Sequence, residues 1–163
     1  DTLRRAASLL RDLGAPCVLH QPRYNMLDRR IERGLLQALS DEGIGCIAFS
    51  PLAQEILTDR YLGGEIPADS RAAGPVGFLR PAHLTAEKVA GVRQLNELAA
   101  SRGQSLAQMA LSWVLRHPGM SSVLIGASRP AQVLDAVRAV GGSVFSSAEL
   151  QHIDTILVGL DAA

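Results

Sequence analysis

The chain has 163 residues, 47% of them hydrophobic, and its 16 Lys plus Arg are balanced by 16 Asp plus Glu. This length fits one domain with a sizeable core, and the composition is globular, with no polar tract that reads as disordered. Zero formal charge argues against a nucleic-acid or anionic-membrane surface, no apolar stretch approaches the ~20 residues of a membrane span, and no signal peptide is visible.

Residues 2–13 repeat apolar side chains at Leu3, Ala6, Ala7, Leu10 and Leu13, the 3.6-residue period of a helix, and Gly14 follows as its stop. The chain opens on Asp1 inside that pattern, which suggests a start further upstream. A first strand is expected at about 17–21. A helix over roughly 28–41 follows, with Ile31, Leu35, Leu36 and Leu39 on one face and Gly43 ending it, and then a second strand at 44–49. Helix–strand–helix–strand at this spacing favours a parallel sheet.

Residues 53–84 break the rhythm. Ile56 and Leu57 lead into Tyr61-Leu62-Gly63-Gly64 and a Pro-, Gly- and Ala-rich stretch ending near Pro81. A loop of this length is usually functional or mobile, and at the mouth of a barrel it could fold over a ligand. Thr85 then caps a helix of about 86–102, with Val89, Val92, Leu95 and Leu98 facing inward and Gly103 stopping it. Ser105-x-x-Gln108 is a capping box for a helix running to about His117, ended by Pro118-Gly119. A third strand at 122–125 runs into Ser128 and Pro130, the cap and first turn of a helix over about 130–140. Ser146-x-x-Glu149 opens a last helix through Leu150, Ile153, Ile156 and Leu157. Trp113 and Met109 fall on the apolar face of their helix and read as core.

Both cysteines, Cys17 and Cys46, fall in expected strands and read as buried, reduced thiols, because no Cys-x-x-Cys or His spacing accompanies them. His83, His117 and His152 read as exposed or helix-end residues. Strand alternation turns His20 away from Gln21, which favours packing of His20 against a helix.

Each expected strand ends in a polar, turn-forming cluster: Gln21-Pro22-Arg23-Tyr24-Asn25, Ser50-Pro51-Leu52-Ala53-Gln54 and Gly126-Ala127-Ser128-Arg129-Pro130. Ligand groups at the carboxyl ends of successive parallel strands are the layout of a (β/α) barrel site. Three strands make about half of such a barrel, which normally runs to ~250 residues. In the third cluster a glycine turns off the strand, a helix start presents N–H groups, and a hydroxyl and a guanidinium add directional donors, together a site suited to phosphate. A plain helix cap with a solvated arginine is the competing reading. Gln21 could hydrogen-bond a ligand carboxamide and Phe49 could stack on a planar ring; alternatively Gln21 is structural and Phe49 is core. Arg60 and Arg71, in the long loop, would ordinarily be solvated charges.

Taken together, Gln21-Pro22-x-Tyr24-Asn25, Gly45 to Gln54, Arg102 to Trp113 and Ser122 to Pro130 resemble the aldo-keto reductase family, in the branch of potassium-channel beta subunits and bacterial glyceraldehyde-phosphate reductases. The resemblance runs from Asp1 to about Leu157. It implies an α/β fold, a (β/α)8 TIM barrel of which this chain is the carboxyl-terminal half, and an NADPH site without a Rossmann fold. Carried over by position, Gln21 would bind the nicotinamide carboxamide and Phe49 would stack on the nicotinamide ring. Ser50, Pro51, Leu52, Ala53 and Gln54 would line the pyrophosphate path, with Arg60 and Arg71 also on the cofactor. Gly126, Ser128, Arg129, Gln132 and Asp135 would hold the adenosine and its 2′-phosphate.

Some positions depart from the family. Glu55 and Asp59 replace glycines, Asp135 replaces a glutamate, and Ala136 an asparagine that would contact adenine, leaving the choice between NADPH and NADH open. A carboxylate at Glu55 beside two phosphates should repel them or turn outward. The family's Asp, Tyr, Lys and His tetrad lies in the amino-terminal half, and Tyr24 and Tyr61 match none of it, so no catalytic residue is assigned. The resemblance implies a cytoplasmic oxidoreductase acting on a small carbonyl substrate. A missing amino-terminal half-barrel would be its necessary partner, these residues alone would be inactive, and a homo-oligomer stays open. A redox-sensing binding subunit with slow or no chemistry is the alternative. An unrelated phosphate-handling barrel would explain the Gly-Ala-Ser-Arg cluster but not the glutamine and aromatic strand ends.

Overall fold

The computed structural model of the chain describes residues 2–74, 79–142 and 144–161. Among them the chain runs α1 (Thr2–Asp12), β1 (Leu19–His20), α2 (Leu35–Asp41), β2 (Gly45–Ala48), α3 (Ala86–Ser101), α4 (Leu106–Leu115), β3 (Met120–Val123), α5 (Pro130–Arg138) and α6 (Ser147–Asp161). The fold is α/β. Its three strands are parallel, in the order β1-β2-β3, with helices in the connections. Leu19 pairs with Gly45 and His20 with Cys46, while Ile47 pairs with Ser122 and Ala48 with Val123. At the centre, Gly45 keeps its neighbours close. A Cβ there would stand 2.6 Å from Leu19 Cδ2 and 2.8 Å from Ser121 Oγ, so both side chains would have to move aside.

The strands are shorter than the apolar runs, but their pairing continues beyond them. Phe49 N–H donates to Pro22 O (3.0 Å), Tyr24 N–H to Phe49 O (3.3 Å) and Leu124 N–H to Ala48 O (2.8 Å). The helix expected over 28–41 is instead a 3₁₀ turn, Arg30–Glu32, followed by α2. Gly34 stands between them with φ +105, a value no helix interior accepts, and Asp28 is held out of helical register by paired hydrogen bonds with Asn25. Similarly, α5 stops at Arg138 and its last turn tightens to 3₁₀ over Ala139–Gly142. The caps expected for α3 and α4 are present. Thr85 Oγ1 accepts from Lys88 N–H (3.2 Å), and the Ser105 hydroxyl and Gln108 side chain cap each other's amides at 3.1 Å.

Trp113, Met109, Tyr24, Leu39, Leu57, Leu95 and Ile153 make a continuous core. The described part of the long connection belongs to it, burying Ile56, Leu57, Tyr61, Ala72 and Leu79, while residues 75–78 of that connection lie outside the described residues. Cys46 is buried and Cys17 half-buried, both free; burial pushes the Cys46 thiol up. The outer elements pack less completely. In α1 only Ala7 is buried, whereas Leu13 is 79% exposed, as is Val18 beside it at 72%. On the opposite edge of the sheet, Leu134 and Val137 of α5 are 64% and 62% exposed.

The start of α6 is tied to the end of α3. Glu149 accepts from the Ser146 N–H (2.7 Å) and hydroxyl (2.8 Å) and pairs with Arg102. Arg102 also donates to Gly142 O (2.9 Å) and Val144 O (3.0 Å). The two Ser146 hydrogen bonds, then Arg102, draw the Glu149 carboxyl from 4.5 down to about 2. Because the folded carboxyl is the more acidic, the unfolded chain binds the extra proton, so this contribution is complete above pH 4.5 and disappears as pH falls toward 2. Glu149→Gln is expected to lower the unfolding free energy at neutral pH by about 1 kcal/mol. It should also flatten the acid limb of the stability curve, as read by urea denaturation across that window.

Candidate functional site

The chain leaves β2 through a strained turn. Ser50, Ala53, Gln54 and Glu55 all hold left-handed φ values, +53, +47, +58 and +76. For non-glycine residues this costs roughly 1–2 kcal/mol each and persists only where surrounding contacts impose it. One such contact is Asn25, wholly buried, whose Nδ2 donates to Ser50 O (2.9 Å) while its Oδ1 accepts from Leu27 N–H (2.9 Å). Asn25 thus pins the end of β1 to the turn after β2. Farther along, the Thr58 hydroxyl donates to Glu55 O (2.7 Å) and accepts from Arg60 N–H (3.3 Å), closing the next turn.

Two clefts meet over this turn. The first, about 150 Å³, is lined by Ser50, Pro51, Leu52, Gln54, Arg71 and Gly126, among others. The second, about 280 Å³, takes in Arg60, Gly126, Arg129, Gln132, Asp135 and Ala136. Leu52, Glu55, Ile125 and Gly126 line both, so the clefts are contiguous. Ten of the fourteen expected cofactor residues are gathered there. Gln21, Phe49, Ala53 and Ser128 line neither. Gln21 and Phe49 lie on the same rim, beside the Arg23–Phe49 bridge, with Phe49 38% exposed. Ala53 is buried and faces a neighbouring cleft.

Glu55 sits where the clefts join. Its Oε1 lies 3.4 Å from Arg71 Nε, and its Oε2 accepts from Arg71 N–H (3.3 Å) and the Tyr61 hydroxyl (3.5 Å). Arg60 Nε is 3.9 Å from Oε2, beyond hydrogen bonding, and this buried nitrogen has no partner among the described residues. The other end of Arg60 holds Asp69 at 2.6 Å. Glu55 has therefore turned inward, onto the arginines.

The start of α5 also differs from expectation. The two amides just before it are not free, because Gln132 Oε1 accepts from Ser128 N–H (2.8 Å), Arg129 N–H (3.1 Å) and the Ser128 hydroxyl (3.2 Å). Arg129, not Ser128, is the capping position, three residues before Gln132. Asp135 is likewise engaged, accepting from Gln108 Nε2 (2.6 Å) and the Ser105 hydroxyl (3.3 Å), which binds α5 to the capping box of α4. Asn25 and Gln108 were missed as supports of the site. Each carried a signal, an Asn in a turn cluster and a capping-box Gln with a spare amide.

A larger groove, about 550 Å³, lies between the segment after β1 and α6. Three of its four arginines are matched by carboxylates: Arg30 and Arg23 by Asp28 at 2.8 and 3.4 Å, and Arg29 by Asp154 at 2.5 Å. Among the described residues no cluster of side chains could hold a metal ion, and no helix is long and apolar enough to cross a membrane.

The sequence model of the Aldo/keto reductase family matches residues 1–158. The chain is 48% identical over 158 residues to L-glyceraldehyde 3-phosphate reductase of Escherichia coli K12, covering 94% of this chain and 45% of that protein. It is 37% identical over 131 residues to a "Probable voltage-gated potassium channel subunit beta" of Oryza sativa, covering 79% of this chain and 40% of that protein. A similarly named Arabidopsis thaliana protein matches at 37% over 131 residues. The chain thus spans less than half the length of the curated relatives it matches. Parallel strands ending in one polar rim, and a family match across nearly every residue, lead to the same conclusion: this chain belongs to the aldo/keto reductase family.

Proposed function

We propose that the chain supplies the cofactor-holding half of an NADPH-dependent barrel that reduces small aldehydes or ketones to alcohols. The observation that carries this is the pair of joined clefts at one rim of the sheet, bringing Arg60, Arg71 and Arg129 around the open backbone at Gly126. The residues present fit a phosphorylated dinucleotide. Arg60 offers a buried nitrogen without a partner among the described residues, and even a Cβ on Gly126 would stand 3.6 Å from Arg71 Nη2, so backbone and guanidinium face one small space.

When bound, NADPH supplies the hydride. Gln21 would hold its carboxamide, and the exposed face of Phe49 would stack on the nicotinamide. Ser50, Pro51, Leu52 and Gln54 would line the pyrophosphate path, with Ala53 buried next to them in the same turn. Arg60 and Arg71 take the phosphate charge. Gly126, Arg129, Gln132 and Asp135, which line the second cleft, would hold the adenosine and its 2′-phosphate, with Ser128 beside them. The proton donor for the carbonyl comes from further β/α units. Support for such units is the apolar surface at both sheet edges, Leu13 and Val18 on one and Leu134 and Val137 on the other. The relative named as a sugar-phosphate reductase favours a small, phosphorylated aldehyde as substrate. The relatives named as channel subunits favour a second reading, a redox-sensing binding subunit.

Loss of nicotinamide absorbance in the complete protein, mixed with NADPH and glyceraldehyde 3-phosphate, is the test. Steady turnover, with NADPH bound more tightly than NADH, is expected. Tight NADPH binding without turnover on any aldehyde would favour the binding subunit, and binding of neither nucleotide would overturn both readings.

A further inference from the structure

We infer that the Glu55 carboxylate is a resident anion in the phosphate position, so that phosphate groups and Glu55 compete for Arg60 and Arg71; this rests on the cofactor reading above. Three observations converge. Glu55 lines both clefts at their junction, between two guanidiniums. It does so from a backbone at φ +76, where a side chain is strained, so a carboxylate is held at a position that favours glycine. Its contacts, at 3.3, 3.4, 3.5 and 3.9 Å, are all longer than the ~2.7–2.9 Å of a strong charge-assisted hydrogen bond.

That combination describes an anion that is attracted but loosely held. Asp69 makes the contrast: at 2.6 Å it grips the far end of Arg60, leaving the Nε edge turned toward Glu55 without a hydrogen bond. A phosphate, with more charge and more acceptor oxygens, can satisfy Arg60 Nε and Arg71 together. Glu55 must then leave, because a carboxylate beside a phosphate in the same cleft is repelled. Binding is thus an exchange of one anion for another, and Glu55 sets affinity by holding the arginines in the empty state.

The test titrates the complete protein and its Glu55→Gln and Glu55→Gly variants with inorganic pyrophosphate, by calorimetry, and with NADPH, by fluorescence. Gln keeps the size and left-handed backbone of residue 55 and removes only the charge. Both variants should bind both probes about tenfold more tightly than the unsubstituted protein. Unchanged or weaker pyrophosphate binding by Glu55→Gln would overturn the inference, as would tightening confined to Glu55→Gly, which would assign the effect to relieved strain. Tighter pyrophosphate binding without NADPH binding in any variant upholds the anion exchange while removing the cofactor reading. NADPH binding that Glu55→Gln leaves unchanged does the reverse.

Discussion

Trp113→Ala is expected to lower the unfolding free energy of the complete protein by about 3–5 kcal/mol, the range for truncating a large core aromatic. Trp113 is fully buried, with the Tyr24 ring tilted against it at 5.3 Å between centroids. The Arg116 guanidinium lies over its face at 3.7 Å and that of Arg29 at 5.3 Å. Those groups are themselves tied down. Tyr24 donates its hydroxyl to Glu32 at 2.6 Å, and Arg116 donates to the same hydroxyl at 3.1 Å and to Trp113 O at 2.6 Å. Burial alone would raise the Glu32 carboxyl, but the hydrogen bonds from Arg29 and Tyr24 outweigh it and hold the group below its ordinary value. Removing the indole therefore leaves a cavity and takes the apolar face from under two arginines. Trp113→Phe, which keeps a ring in place, should lose much less. Urea denaturation of both variants reads the difference, and a loss under 1 kcal/mol for the alanine variant would contradict the assigned packing.

Replacing Arg60 and Arg71 together with methionine should weaken NADPH binding roughly 10- to 100-fold, since each guanidinium–phosphate hydrogen bond lost is worth ~1.5–3 kcal/mol before competition from Glu55 is subtracted. Stability should barely move. Asp69, the tight partner of Arg60, is 80% exposed, and an ion pair of that kind contributes at most ~1 kcal/mol. Methionine preserves the apolar stems that pack along the cleft, so a binding loss with an unchanged melting temperature would separate ligand contact from folding. Equal affinity in the doubly substituted protein, measured by fluorescence titration, would remove the phosphates from this cleft.

Much of this was legible locally. Thr85, Ser105 with Gln108, and Ser146 with Glu149 place helix starts that need only neighbouring residues, and the structure has each one. The break at Gly34 was not, because the apolar period through Ile31, Leu35 and Leu39 runs across it unchanged while the backbone turns left-handed underneath. At the site, the strand ends were readable as a set, since each polar cluster follows an apolar run. The inward turn of Glu55 was not, because it depends on Arg71, sixteen residues later, reaching back with both its amide and its side chain. Left-handed Ser50 and Ala53 had no glycine to mark them; the buried amide of Asn25, from a different strand end, holds that turn. Gln132 lines the second cleft as expected, but its role as a cap, three residues beyond Arg129, was hidden because the apparent cap in the sequence was Ser128.

Hydrogen–deuterium exchange of the complete protein, with and without saturating NADPH, asks most directly where the dinucleotide sits. Slowed exchange at residues 49–60 and 126–132, with Arg71 and its neighbours following, is the expected result. Protection confined to residues 23–33 and α6, around the larger arginine groove, would contradict it.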